Sequence, residues 1–157
     1  MKKIVSVACV LCLLTACKSS QKVNNEVVKE FQLERFLGTW YEIARFDHRF
    51  EKEMHHTMAF YSLDADGQLK VVNTGIRDGK EKVAEGKGKT TDTPAHLRVS
   101  FFGPFYADYR VLLLDEEYSY ALIGSKSSRY LWILARAPQL TESALEHLLD
   151  EAQRRGY

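Results

Sequence analysis

Beyond Cys17 the sequence contains no cysteine: its three, Cys9, Cys12 and Cys17, all lie at the start of a 157-residue chain. That absence excludes a disulfide framework, a thiolate-ligated zinc site and a catalytic thiol in the body. Charge of one sign is equally scarce. A net charge of +1 leaves no cationic excess to neutralise phosphates, so nucleic acid is not an expected partner. Long hydrophobic runs are missing too. Ile4 to Leu14 is uncharged, but its eleven residues are too few to span a bilayer and suit a signal-peptide core. What remains is 45% hydrophobic and 11% aromatic, enough for one folded domain with a real core.

The start of the chain reads as a targeting segment. Lys2 and Lys3 precede the uncharged run, and Cys9 and Cys12 sit inside it as apolar residues rather than as a redox pair. Leu14-Thr15-Ala16-Cys17 resembles the lipobox of bacterial lipoproteins. The resemblance implies cleavage before Cys17, acylation of that cysteine by palmitate-like chains, and a bacterial envelope location, with Lys18 pointing to the outer membrane. Several acyl chains, at about 0.8 kcal/mol per buried CH₂, exceed what stable anchoring needs. Removing residues 1–16 takes away two lysines and no acid, so the net charge moves from +1 to −1. Residues 17–32 are then expected to be the lipidated cysteine and a polar tether. Fully extended, residues 18–32 reach at most about 50 Å.

From Leu33 onward, short apolar runs alternate with turn signals. Asp66-Gly67 and Asp78-Gly79 predict hairpins, and Thr93-Pro94 and Gly103-Pro104 predict breaks. Strands are expected near 39–46, 56–64, 68–77, 80–90, 96–102, 107–114, 118–124 and 129–136. Eight consecutive antiparallel strands close into an up-and-down barrel, although periodicity alone also permits a sandwich. One helix follows. Thr141 suits its N-cap, Glu142 its first turn and Gly156 its C-terminal stop. Ala144, Leu145, Leu148, Leu149 and Ala152 form a single stripe, which fits a helix packed outside a barrel.

Charge assigns most strand faces. Lys70 turns Leu69, Val71 and Asn73 inward, and Arg98 does the same for Leu97, Val99 and Phe101. Arg110 facing out places Tyr109, Val111 and Leu113 inside. Trp132, Leu134 and Arg136 share one face. In the second strand Met58 and Phe60 compete with Ala59, Tyr61 and Leu63. The pattern leaves both a filled core and a ligand cavity open.

Leu37-Gly38-Thr39-Trp40-Tyr41-Glu42-Ile43-Ala44-Arg45 carries a Gly-x-Trp motif that resembles the lipocalin signature. Phe46-Asp47-His48-Arg49-Phe50-Glu51, the segment Val99 to Tyr106 and the segment Tyr130 to Arg136 resemble the bacterial lipocalins in the same order and spacing. The likeness spans about residues 31–157. It implies an eight-stranded barrel with one external C-terminal helix, domain limits of 33–157, and closure of the base by Gly38, Trp40 and Arg136, with the guanidinium over the indole. It also selects Ala59, Tyr61 and Leu63 as the inner face of the second strand, completing the candidate ligand lining. The implied activity is binding, not catalysis, of a small hydrophobic ligand such as a fatty acid or lysophospholipid, for lipid storage or transport. Tyr61, Asn73 and Tyr109 are expected to orient its head, and Phe46 and Phe50 to gate the mouth. Lipocalins of this type continue after the helix with a further strand paired to the first; a tail beyond Tyr157 is therefore expected, failing which the first strand keeps an open edge. A homodimer stays open.

Other motifs lead elsewhere and fail. Gly88-Lys89-Thr90 has Val83 where a phosphate loop needs glycine, so Gly86 and Gly88 are read as making room inside the barrel. Asp64-x-Asp66-Gly67 lacks the remaining ligands of a calcium loop. No Gly-x-Ser-x-Gly is present, and Ser125, Ser127 and Ser128 read as a turn. His48, His55 and His56 read as solvated loop residues, with a haem or metal carrier as the alternative; no cofactor or metal is expected. A further alternative is an envelope interaction protein whose barrel is packed solid.

Overall fold

The computed structural model describes residues 22–47 and 52–157. A short helix α1 (Leu33–Phe36) leads into eight strands, β1 (Gly38–Arg45), β2 (His55–Leu63), β3 (Leu69–Arg77), β4 (Lys80–Thr90), β5 (His96–Phe102), β6 (Phe105–Leu114), β7 (Tyr120–Gly124) and β8 (Leu131–Ala135), and a final helix α2 (Glu142–Arg154). The strands pair in chain order, all antiparallel, and β1 also pairs with β8, closing the barrel. Tyr41 to Arg45 pair with Ala135 to Trp132, so β1 keeps no open edge along this stretch, and closure needs no further strand.

Turn chemistry places the hairpins. Asp78 and Gly79 both have positive φ, at 53° and 68°, as a two-residue turn between twisted strands requires. Asp64 accepts the backbone N–H groups of Asp66 and Gln68 at 3.0 and 2.8 Å and so builds the β2–β3 turn. These turns define two ends. The base holds α1, the β2–β3 turn and the β6–β7 turn. The mouth holds the Arg45–His55 connection, the β3–β4 turn and the Phe102-Gly103-Pro104-Phe105 tip.

Two apolar clusters divide the chain between the inside and outside of the barrel. The inner cluster contains Trp40, Tyr61, Val71, Leu97 and Ile123. The outer one joins Leu112, Leu122, Leu131 and Ile133 to Leu148 and Ala152 of α2. The Thr141 hydroxyl accepts the Ala144 N–H at 3.3 Å, and Gly156 has φ of 87° after the helix end. The apolar stripe is narrower than its sequence suggests. Leu149 is half exposed, because the helix touches the barrel along one line only.

Residues 22–32 do not stand free as a tether. They run along the barrel wall, with Val23 buried, the Val28 N–H on the Val111 carbonyl at 3.0 Å, and the Asn24 N–H on the Arg155 carbonyl at 2.8 Å. Arg155 also donates to the Glu26 carbonyl at 2.7 Å and to the Leu112 carbonyl at 2.8 Å, so one guanidinium ties this segment to both β6 and α2. Residues 1–16, Cys17, His48 and Phe50 lie outside the described residues.

Candidate functional site

The base of the barrel is sealed by a stack. Trp40 is fully buried, its indole N–H donating to the Phe36 carbonyl at 2.7 Å and its ring 4.7 Å from that of Phe36. The Arg136 guanidinium lies 4.0 Å over the indole. It also donates to the carbonyls of Thr39 and Arg35, each at 2.8 Å, and of Tyr118 at 3.3 Å. A planar five-donor cation thus satisfies three carbonyls where the strands end, while its face covers the ring. Gly38, with φ of 95°, sits where an added Cβ would come within 3.3 Å of that guanidinium.

Above the seal the interior is packed, then opens. Trp40, Tyr61, Leu69, Val71, Leu97, Val99, Val111 and Leu134 are all buried. Gly88 makes this packing possible, since a Cβ there would lie 2.4 Å from Leu69; at Gly86 it would lie 2.8 Å from Phe101. Nearer the mouth, Ala59, Asn73, Phe101, Tyr109 and Trp132 face inward and are only half-buried. The lower half is therefore filled, and the upper half is accessible.

Polar groups sit at the boundary. The hydroxyls of Tyr61 and Tyr109 are 2.8 Å apart across the lumen, with the rings edge to face. Burial pushes the Tyr109 hydroxyl well above the usual tyrosine range, and Tyr61 beside it adds to the shift, so Tyr109 stays neutral. Thr57 is 6% exposed, yet its Oγ1 has no hydrogen-bond partner among the described residues, and the same holds for Oδ1 of Asn73. Buried polar atoms without a protein partner are the places where a guest could supply one. Glu42 and Arg45 also turn inward, opposite Leu134 and Trp132, and pair with each other; Arg45 donates besides to the Met54 carbonyl at 3.2 Å.

A family model described as a lipocalin-like domain matches residues 31–157. The chain is a lipocalin. It is 44% identical to the outer membrane lipoprotein Blc of Escherichia coli (strain K12), over 98% of this chain and 90% of that protein. The Citrobacter freundii protein of the same name is 45% identical, over 92% and 85% of the two chains. Temperature-induced lipocalin-1 of Arabidopsis thaliana is 39% identical, over 88% and 80%. Among solved structures, lobster apocrustacyanin A1 matches with a TM-score of 0.65 at 21% identity, over 79% of this chain and 73% of that one. Insecticyanin from the tobacco hornworm matches with 0.64 at 23%, over 88% and 78%. At such identities the two structures bear on the fold alone.

Within this lipocalin most residues assigned to the lumen from the sequence are brought together, and two are not. Leu113 belongs to the outer cluster beside Leu122. A bulge in β6 inserts Leu112 between the Val111–Ile123 and Leu113–Leu122 pairs, which shifts the alternation and carries Leu114 inward instead. Leu63 has the expected parity but is 40% exposed at the end of β2, past the core. The lumen also contains residues that alternation passed over. Glu42 follows Trp40 by two and was readable as inward. Arg45 was not, because a bulge at Ile43 and Ala44 reverses the parity before it. His55 and His56 are exposed at the mouth, and His147 lies apart on α2. Among the described residues no three His, Cys, Asp or Glu side chains gather as a metal site would require.

Proposed function

We propose that this lipocalin holds one single-chain amphiphile, a fatty acid or lysophospholipid, in the upper half of its barrel, and that acylated Cys17 ties it to the membrane. Its place is the bacterial outer membrane, as a lipid-anchored protein. The observation that carries the ligand reading is the vertical order of the lumen. A packed apolar floor lies under half-buried Ala59, Phe101 and Trp132, the Tyr61–Tyr109 pair stands at the boundary between them, and the unpartnered acceptors of Thr57 and Asn73 lie nearer the mouth. An acyl chain loses water contact against the first set, and a head group finds hydrogen-bond partners in the second. The role is binding without chemistry, for storage or carriage of lipid within the envelope.

The test is uptake. Protein stripped of lipid should take up a fluorescent fatty acid saturably, near one to one, and release it to unlabelled lysophospholipid. Absence of saturable uptake would sink the proposal. Mass spectrometry of lipid co-purifying with a Cys17→Ala variant then names the natural ligand.

A further inference from the structure

The two ends of the barrel differ in character. At the base, the turns expose Glu34, Asp66, Asp92, Glu116 and Glu117, with the cations Arg35, Lys70 and Lys89 beside them. At the mouth, the β5–β6 turn lifts Phe102 and Phe105 into solvent at 70% and 78% exposure, with Phe46 and Ile76 also exposed on the rim. Two adjacent aromatic rings at the tip of a hairpin form an exposed apolar patch of the kind that marks an interaction surface. Aromatic rings favour the headgroup level of a bilayer, and an anionic leaflet repels an acidic surface.

The path of the N-terminal segment says how far the anchor reaches. Read backward from α1, the chain climbs the wall: the Gln32 N–H meets the Tyr118 hydroxyl at the base, Val28 pairs with Val111, and the Asn25 carbonyl meets Arg110. Arg110 stands mid-wall: it pairs with Gly124, the last residue of β7 before the mouth, and with His96, the first residue of β5 above the base. The chain therefore reaches Asn24 part-way up the wall. The seven residues back to Cys17 span at most about 25 Å. From Arg110 to Phe105 along β6 is about 17 Å, so the anchor reaches the plane of the tip.

We propose that the mouth of the barrel docks on the bilayer that carries the chain's own anchor, with Phe102 and Phe105 seated in the lipid interface, so that ligand passes between leaflet and lumen without crossing water. This rests on the reading that Cys17 is acylated and that the barrel takes up lipid.

The full acylated protein is reconstituted in phosphatidylethanolamine–phosphatidylglycerol vesicles containing nitroxide-labelled lipid. The body has no other free thiol, so Phe105→Cys and, separately, Glu116→Cys each take one environment-sensitive fluorophore. The label at position 105 should be quenched several-fold more than the label at position 116. Equal quenching, or stronger quenching at 116, overturns the docking. In parallel, Phe105→Ser should fill with fluorescent fatty acid to the same final occupancy as the parent, but about tenfold more slowly from vesicles; an unchanged rate also overturns it. A parent that takes up no fatty acid, with label 105 still quenched, overturns the binding reading and leaves the docking standing.

Discussion

Glu42 and Arg45 both point into the barrel, although a regular strand would put residues three apart on opposite faces. The bulge between Glu42 and Ala44 makes this possible, and the two side chains, 9% and 11% exposed, form an ion pair inside the lumen. Removing one partner of a sequestered pair is expected to cost far more than removing both. Arg45→Met should lower stability by roughly 3 kcal/mol. Glu42→Gln with Arg45→Met should recover part of that loss. Urea unfolding of these two variants and of Glu42→Gln alone measures it, and additive losses would refute a coupled pair.

The Tyr61–Tyr109 hydrogen bond makes a similar prediction with neutral groups. Either Tyr→Phe change leaves the other hydroxyl without this partner and should cost about 1–2 kcal/mol. The double Phe variant should lose less than the two single losses together. It should also bind a fatty acid more weakly, because the hydroxyls meant for the head group are gone.

Arg136 carries three carbonyls and one aromatic face at once. Arg136→Lys keeps the charge but cannot reproduce the fork, and should cost about 2 kcal/mol from lost cation–π and hydrogen-bond energy. The near-ultraviolet circular dichroism of Trp40 should change with it. A variant as stable as the parent would show that the base closes without this contact.

Packing separates the two halves of the lumen. Val71, at 2% exposure, lies in the filled part, and Val71→Trp should destabilise by about 1–3 kcal/mol through overpacking. Ala59 is half-buried where the proposed ligand sits, so Ala59→Trp should leave stability nearly unchanged and abolish fatty-acid uptake. Thermal melts and ligand titrations distinguish the two. If Ala59→Trp proves as destabilising as Val71→Trp, the upper half is filled and the ligand reading is in trouble.

Asp108 sets an acid limb. Partial burial works to raise its pKa, but hydrogen bonds from Arg110, from the Lys126 backbone N–H and from His96 outweigh it and hold the carboxyl below its usual value of 3.8. Such a group adds stability that is fully present above the unfolded value and is lost as pH falls through the lower folded one. Asp108→Asn should therefore be less stable than the parent at neutral pH, with the gap closing in strong acid. Urea midpoints across that range check it; a gap independent of pH would assign the effect to shape rather than charge.

Much of this was readable in advance because strands advertise themselves. Asp-Gly pairs fix where hairpins turn, and charges such as Lys70, Arg98 and Arg110 fix which face is wet. Bulges were not readable. One extra residue in β1 and one in β6 reverse every later side chain, and nothing in the local composition marks them. That is why plain alternation puts Leu113 inside and passes over Arg45. The N-terminal segment was likewise misleading: its polar residues look like a free tether, yet Val23, Val28 and Phe31 have apolar partners supplied by distant parts of the chain.

The sequence by itself determined the strand count, the hairpins and the helix with its caps, because each rests on local turn chemistry and periodicity, while the Trp40–Arg136 closure came from the likeness to lipocalins. Only the tertiary structure decided how deep the lumen is filled, which polar groups share it, and that residues 22–32 lie along the barrel wall. Those depend on register and packing between residues far apart in sequence, and a single chain written out in order carries no local signal for either.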